Sequence, residues 1–189
     1  MRAAAEMTCP PAEYLAFERS SAEKHEYLAG EVFAMTGASR AHNLIVLSVA
    51  SELRRQLKQR PCQVFANDLR VKVDASGLYT YPDVVVVRGA ARFEDEQVDT
   101  LVNPTLIVEV LSDSTEAYDR GEKFEHYRKL NSLSEYLLVA QDRPHVDQFV
   151  RQADAQWLLA EWHGRTATVP LSSVAAALTL DEVYDKLEV

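Results

Sequence analysis

Two strongly apolar segments of the sequence each carry an acidic residue. Asp83 begins the run DVVVV, and Glu109 lies inside LIVEVL. Runs of β-branched residues are typical of central strands that are covered on both faces. A carboxylate in such a strand must be paired, protonated or bound to a cation, because burying it alone is very costly. Two acids at neighbouring positions of one sheet would form an oxygen-rich pocket suited to Mg²⁺ or Mn²⁺.

A purely structural role for the two acids is also compatible with their spacing. Each acid could form a buried ion pair with an arginine, and three arginines are available: Arg70, Arg88 and Arg120. Buried pairs of this kind also occur in proteins where they have no catalytic role. The spacing alone therefore leaves both the metal site and the arginine pairs open.

A stripe of polar residues follows the second acid. Asp119, Lys123 and Tyr127 are spaced by four, which places them on one face of a helix predicted over residues 116–130. A helix that follows a strand usually packs back over the same sheet, so we expect Lys123 to point toward the two acids. Its ammonium could polarise an attacking water or stabilise developing negative charge. The alternative is an exposed ion pair between Asp119 and Lys123.

Other residues with metal-binding or acid–base chemistry are weaker candidates. His42 lies in the first turn of a predicted helix, where it could bind a phosphate, relay a proton or serve only the structure. Glu31, at the edge of a predicted hairpin, could add a third carboxylate or be a solvated strand residue. Cys9 and Cys62 form no CxxC pair, so no zinc site is expected. The remaining histidines show no HExxH-like or other metal-ligand spacing: His25, His126, His145 and His163.

The composition is that of one globular domain. The chain has 189 residues, of which 47% are hydrophobic and 26% charged. We expect residues 1–9 to be flexible and residues 10–189 to form the domain. The N-terminus lacks the apolar segment of a signal peptide, and no apolar run is long enough to span a membrane, so a cytoplasmic location is expected. The net charge of −9 argues against nonspecific adhesion to nucleic acid.

The order of predicted elements indicates a mixed α/β fold with one central sheet and additional strands toward the C-terminus. Helices are predicted over residues 12–20, 39–59, 116–130 and 179–188. Strands are predicted in residues 25–36, which form a strand, turn and strand, and over residues 63–74, 80–87, 105–112, 134–142, 145–152 and 156–164.

Taken together, these motifs resemble the Uma-two family of putative restriction endonucleases, part of the PD-(D/E)XK phosphodiesterase superfamily. The resemblance rests on Asp83 in YPDVVVV, on Glu109 in LIVEVLSDST and on the pattern D-x-x-x-K-x-x-x-Y across Asp119, Lys123 and Tyr127. The segment HEYLAGEVFAMTGASRAHN adds to it. The resemblance covers roughly residues 10–187 and implies a restriction-endonuclease-like mixed sheet flanked by helices, with the site at one sheet edge.

The resemblance also implies roles for individual residues. Asp83 and Glu109 are implied as ligands of Mg²⁺ or Mn²⁺. The superfamily usually has a lysine two positions after the second acid, where this sequence has Leu111. Lys123 on the predicted helix looks like its relocated replacement, and it joins the two acids as a catalytic candidate. The secondary site candidates are Glu31, His42, Asp119 and Tyr127.

The activity implied by the resemblance is Mg²⁺-dependent hydrolysis of phosphodiester bonds in nucleic acid, with DNA as the expected substrate and a homodimer as the expected assembly. A non-catalytic binding or dimerising module that keeps the nuclease fold is the alternative. The negative net charge favours the module. The set of two acids and a lysine favours the nuclease, because a scaffold has no need of charges in apolar strands.

Overall fold

The computed structural model describes residue 5, residues 7–35 and residues 37–189. Residues 1–4 and 6, within the N-terminus expected to be flexible, and Thr36, at the end of the predicted strand–turn–strand segment, lie outside the described residues. No helix in the described part of the chain is long and apolar enough to cross a membrane.

The described residues form fourteen short strands and five α-helices, joined by turns and loops. The strands are β1 (Met7–Thr8), β2 (His25–Leu28), β3 (Glu31–Ala34), β4 (Cys62–Ala66), β5 (Arg70–Val73), β6 (Leu78–Thr80), β7 (Val84–Arg88), β8 (Thr100–Leu101), β9 (Leu106–Val110), β10 (Glu135–Val139), β11 (His145–Arg151), β12 (Trp157–His163), β13 (Thr168–Leu171) and β14 (Ala176–Thr179). The helices are α1 (Pro11–Glu18), α2 (Arg40–Leu57), α3 (Glu116–Tyr118), α4 (Phe124–Tyr127) and α5 (Leu180–Val183), and a π-helical segment (Asp119–Lys123) joins α3 to α4.

The strands form two large sheets and a hairpin rather than the one central sheet predicted from the sequence. Sheet I has the order β12-β11-β10-β9-β7-β4, and sheet II has the order β1-β3-β2-β6-β5-β8. Strands β13 and β14, which the sequence did not indicate, pair as a separate hairpin. Sheet I is mixed, because β9 and β10 are parallel and its other pairs are antiparallel. Together with the flanking helices, this confirms the expected mixed α/β class.

Sheet I is covered on both faces, which explains the apolar runs in its central strands. Helix α2, the β13–β14 hairpin and α5 cover the face that carries Val84 and Val108. Helix α4 covers the opposite face with Phe124 and Tyr127. A polar side chain on this second face is therefore held between the sheet and the helix that follows β9.

Several predicted elements are divided or shorter in the structure. The strand predicted over residues 80–87 is split between β6 and β7, and the helix predicted over residues 116–130 is split into α3, the π-helical segment and α4. The strand predicted over residues 63–74 is broken at Asn67, whose φ of 61° is left-handed, a conformation that asparagine tolerates better than most residues. The break sends β4 into sheet I and β5 into sheet II. The helix predicted over residues 179–188 is only the short α5. At the other end, β1 pairs with β3, so sheet II begins before residue 10.

Candidate active site

Asp83 and Glu109 lie side by side on the face of sheet I that α4 covers. Strands β7 and β9 are antiparallel with Val84 opposite Val108, so continuing the register by one residue places Asp83 opposite Glu109. Both line a cleft of about 1290 Å³ that opens between the two sheets and the start of α2. The structure thus brings the two acids together at neighbouring sheet positions, as expected from the apolar strands around them.

Asp83 is held in place by two hydrogen-bonding groups. Its Oδ1 lies 2.8 Å from Nε2 of His42, and its Oδ2 accepts a hydrogen bond of 2.7 Å from the backbone N–H of Val110. Ser39 caps α2 by accepting a 3.0 Å hydrogen bond from the backbone N–H of His42. The helix cap therefore positions the imidazole beside the carboxylate, and His42 belongs to the site by contact.

Glu109 is buried and shares one oxygen between two donors. Its Oε1 accepts a 2.8 Å hydrogen bond from the hydroxyl of Tyr127 and lies 2.9 Å from Nζ of Lys123. The pKa of Glu109 is raised to about 8, mainly by burial; Lys123 opposes the rise, and the charges of Asp119 and Asp83 contribute to it. The carboxylate is therefore poised to bind a proton or a cation near neutral pH.

Lys123 is the buried cation of the cluster. Its Nζ lies 2.9 Å from Glu109, 3.3 Å from Asp119 and 3.6 Å from Glu26. Burial alone would lower the pKa of Lys123, but the surrounding acids reverse the effect and raise it well above its usual value. Lys123 thus stays protonated and points toward the acids, and the exposed surface pair considered from the sequence is not what the structure shows.

The π-helical segment presents Asp119 and Lys123 to the same side. Segments of this type are rare, and they are often found at functional sites. The backbone carbonyl of Asp119 accepts a 3.0 Å hydrogen bond from the hydroxyl of Tyr136 on β10, which fastens the segment to sheet I. Burial raises the pKa of the Asp119 carboxyl, with Lys123 opposing. The predicted sharing of one helix face by Asp119, Lys123 and Tyr127 is confirmed, since all three side chains meet at Glu109 or Lys123.

Glu26 is a member of the cluster that sequence reasoning missed. It lies on β2, is 7% exposed, and accepts a hydrogen bond from the hydroxyl of Thr80. In HEYLAGEV it reads as an ordinary polar residue of an alternating strand, and only the pairing of β2 with β6 turns it toward Lys123. Glu31, the candidate chosen from that segment, is exposed on β3 and does not line the cleft.

The arginines considered as partners for the acids are engaged elsewhere. Arg70 pairs with Asp99 at 3.0 Å, Arg88 donates to the carbonyl of Ser173, and Arg120 pairs with Glu116 and Asp147. In the contacts between described residues, no arginine meets Asp83 or Glu109. The two acids therefore pair with His42 and Lys123, at Asp83 and Glu109 respectively, and not with arginines.

Comparison with known proteins places the chain in a family. The model of the Uma2 family, described as "Putative restriction endonuclease", matches residues 11–182, which is most of the chain. The chain belongs to the Uma2 family.

Two proteins from Synechocystis sp. (strain ATCC 27184 / PCC 6803 / Kazusa) are similar to this chain over most of its length. The uncharacterized protein sll1609 is 37% identical over 85% of this chain and 91% of its own length. The uncharacterized protein slr1290 is 34% identical over 92% of this chain and 90% of its own length.

A solved structure shares the fold of this Uma2 chain. It is the crystal structure of a putative nuclease belonging to DUF820 from Anabaena variabilis, with a TM-score of 0.73 and 20% sequence identity. The match covers 91% of this chain and 95% of the other. The restriction-endonuclease-like α/β fold expected from the sequence is thereby confirmed.

The donor set of this Uma2 cleft fits a hard divalent cation. Acidic side chains outnumber basic ones along its lining: Glu23, Glu26, Asp68, Asp83, Glu109, Asp113, Asp119 and Asp142 against Lys24 and Lys123. Carboxylate oxygens are the ligands that Mg²⁺ and Mn²⁺ prefer. Three of the buried carboxyl groups share one ammonium, so the cluster has more acidic groups than cations to pair with them.

Proposed function

We propose that this Uma2 protein is a Mg²⁺-dependent endonuclease that hydrolyses the phosphodiester bonds of DNA and works as a homodimer. Family membership supports a nuclease in general, and the cleft supports the finer assignment. The observation that carries it is the contact of one buried lysine with three carboxylates next to Asp83. A scaffold gains nothing from this arrangement, since burying unbalanced charge destabilises a fold.

Asp83 and Glu109 are the residues that would hold the metal, and Glu26 and Asp119 add two more acidic side chains around Lys123 beside them. When bound, a divalent cation supplies a Lewis acid for the phosphate and lowers the pKa of a coordinated water. The metal ligands are preorganised by the chain itself. His42 and the Val110 N–H orient Asp83, while Tyr127 orients Glu109.

Lys123 has the role of stabilising charge rather than that of a general base. Its raised pKa keeps the ammonium protonated, so it has no lone pair with which to remove a proton from water. A buried ammonium fixed at the point where negative charge grows on the phosphate stabilises the transition state, because it needs no reorganisation during the reaction. The sequence left open whether Lys123 polarises an attacking water or stabilises developing negative charge, and its surroundings favour the stabilisation of charge.

Cations bound in the acidic cleft would explain how a protein of net charge −9 binds a polyanion such as DNA. Without bound cations, the carboxylates along the lining would repel phosphate groups. Cations in the cleft reverse the local field there. We therefore expect binding of DNA to require the divalent metal, and not only the cleavage step.

The direct test of the proposed function is cleavage of supercoiled plasmid DNA with Mg²⁺ or Mn²⁺, with single-stranded DNA and RNA as comparison substrates. Wild type is expected to nick or linearise the plasmid, and chelator should stop it. Glu109→Gln should abolish the activity, whereas Glu31→Gln, a matched change outside the cleft, should leave it unchanged. Cleavage that survives Glu109→Gln would refute the assignment. If metal-loaded wild type binds DNA without cutting it, the binding module becomes the better account.

A further inference from the structure

A second group of potential metal ligands lies on the outer strands of sheet I. Strands β11 and β12 are antiparallel, with His145 opposite His163 and Asp147 opposite Glu161. Because side chains alternate along a strand, residues two apart share a face. All four side chains therefore project from the same face of the β11–β12 pair.

Three of these side chains converge. One ligand atom from each of His145, Glu161 and His163 lies within 4.8 Å of the others. The imidazole rings of the two histidines are 4.3 Å apart, and Nε2 of His145 is 3.9 Å from Oε1 of Glu161. Among the described residues, no other three side chains of these types bring their ligand atoms this close together.

The spacing suits a tetrahedral metal after small side-chain rotations. Bonds of about 2.0–2.2 Å to zinc place neighbouring ligand atoms roughly 3.4 Å apart. The ligand atoms lie up to 4.8 Å apart, so they need to close by at most about 1.4 Å. Glu161 and His163 are exposed and free to rotate, whereas His145 is buried and already fixed.

The surroundings of His145 supply an outer layer of charge. Asp147 is buried, and its Oδ1 lies 2.8 Å from Nε2 of His145. The other oxygen of Asp147 is ion-paired with Arg120. With Nε2 of His145 bonded to Asp147, the nitrogen left for a metal is Nδ1, and a carboxylate on the other ring nitrogen is the arrangement that orients metal-binding histidines in proteins.

We infer that His145, Glu161 and His163 form a Zn²⁺ site that ties β12, the edge strand of sheet I, to β11. Two imidazoles and a carboxylate suit zinc and similar transition ions, whereas Mg²⁺ prefers oxygen ligands. Water completes the coordination. The site is separate from the cleft, because β10 lies between β9 and β11 and neighbouring strands are about 4.8 Å apart.

The test is a calorimetric titration of the full chain with Zn²⁺ in excess Mg²⁺, which occupies the carboxylate cleft. We expect one Zn²⁺ per chain. His163→Gln and Glu161→Gln should each weaken binding by more than about tenfold. His126→Gln is the matched control, because His126 is not part of the three-ligand group, and its titration should equal that of wild type.

Two further measurements make the outcome decisive. Co²⁺ in place of Zn²⁺ should give the strong visible absorption of a tetrahedral site, and His163→Gln should remove it. Asp83→Asn should leave zinc binding intact, so failure of the proposed nuclease function would not affect this result. Equal binding by wild type and His163→Gln, or half an equivalent of zinc with a dimer forming on titration, would overturn the intrachain site.

Discussion

The metal-free wild-type protein should lose stability as the pH rises, and Glu109→Gln should abolish this loss. Glu109 is buried, and its carboxyl pKa is raised from 4.5 to about 8, mainly by burial. A carboxyl whose pKa is higher in the folded state stabilises the fold while it is protonated. That contribution is fully present below pH 4.5 and is lost as the pH rises through 8.

The size of the effect follows from the two pKa values. Their separation corresponds to at most about 5 kcal/mol, of which about 2 kcal/mol falls between pH 6 and pH 8. For a domain of this length, about 2 kcal/mol corresponds to a fall in Tm of about 4–8 °C. Mg²⁺ at 100 times its Kd would add about 2.7 kcal/mol at the higher pH, where the carboxylate is free to bind it.

The assay is denaturant unfolding at pH 6 and pH 8, in chelator and in Mg²⁺, for wild type, Glu109→Gln and Glu31→Gln. The difference between wild type and Glu109→Gln isolates the titration of this one carboxyl from that of the histidines. In chelator, wild type and Glu31→Gln should both be less stable at pH 8 than at pH 6, and Mg²⁺ should restore their stability at pH 8. Glu109→Gln should show neither the loss nor the recovery. If the free energy of unfolding changes with pH in the same way in wild type and in Glu109→Gln, then Lys123 keeps Glu109 ionised throughout and the reasoning is refuted.

Three substitutions test how the other residues act. Lys123→Met should lower kcat about 10²–10³-fold in single-turnover cleavage, because it removes a fixed charge from the transition state; an unchanged kcat would exclude that role. Tyr127→Phe should cost about 1 kcal/mol in denaturant unfolding, since it breaks the 2.8 Å hydrogen bond to Glu109, and an unaltered midpoint would contradict this. His42→Gln should weaken Mg²⁺ about 10–100-fold in a calorimetric titration by loosening Asp83, and unchanged affinity would show that the Val110 N–H alone suffices.

The part of the site that lies on central strands could be predicted from the sequence. Asp83 and Glu109 border or interrupt apolar runs, so their neighbouring positions in the centre of sheet I follow from local pattern. Lys123 follows from helical spacing and from the rule that a helix packs back over its preceding strand. These inferences need only short segments and the general geometry of strands and helices.

Residues that enter the site through long-range pairing could not be predicted in this way. Glu26 and Glu31 are both acids of one hairpin segment, and only the pairing of β2 with β6 decides which of them meets Lys123. The histidines of β11 and β12 form no sequence motif, because strand register rather than chain spacing brings His145 and His163 together. The separation of β4 from β5 likewise depends on the left-handed Asn67.

The central claim is that Asp83 and Glu109 together hold a divalent metal beside Lys123. Crystals soaked in Mn²⁺ and measured for anomalous scattering test it most directly. The account predicts a manganese peak bonded to carboxylate oxygens of both acids, at about 2.0–2.3 Å. The claim would be contradicted by crystals in which the cleft is well ordered but shows no manganese peak. In that case Asp83 would contact only His42 and Val110, and Glu109 only Tyr127 and Lys123.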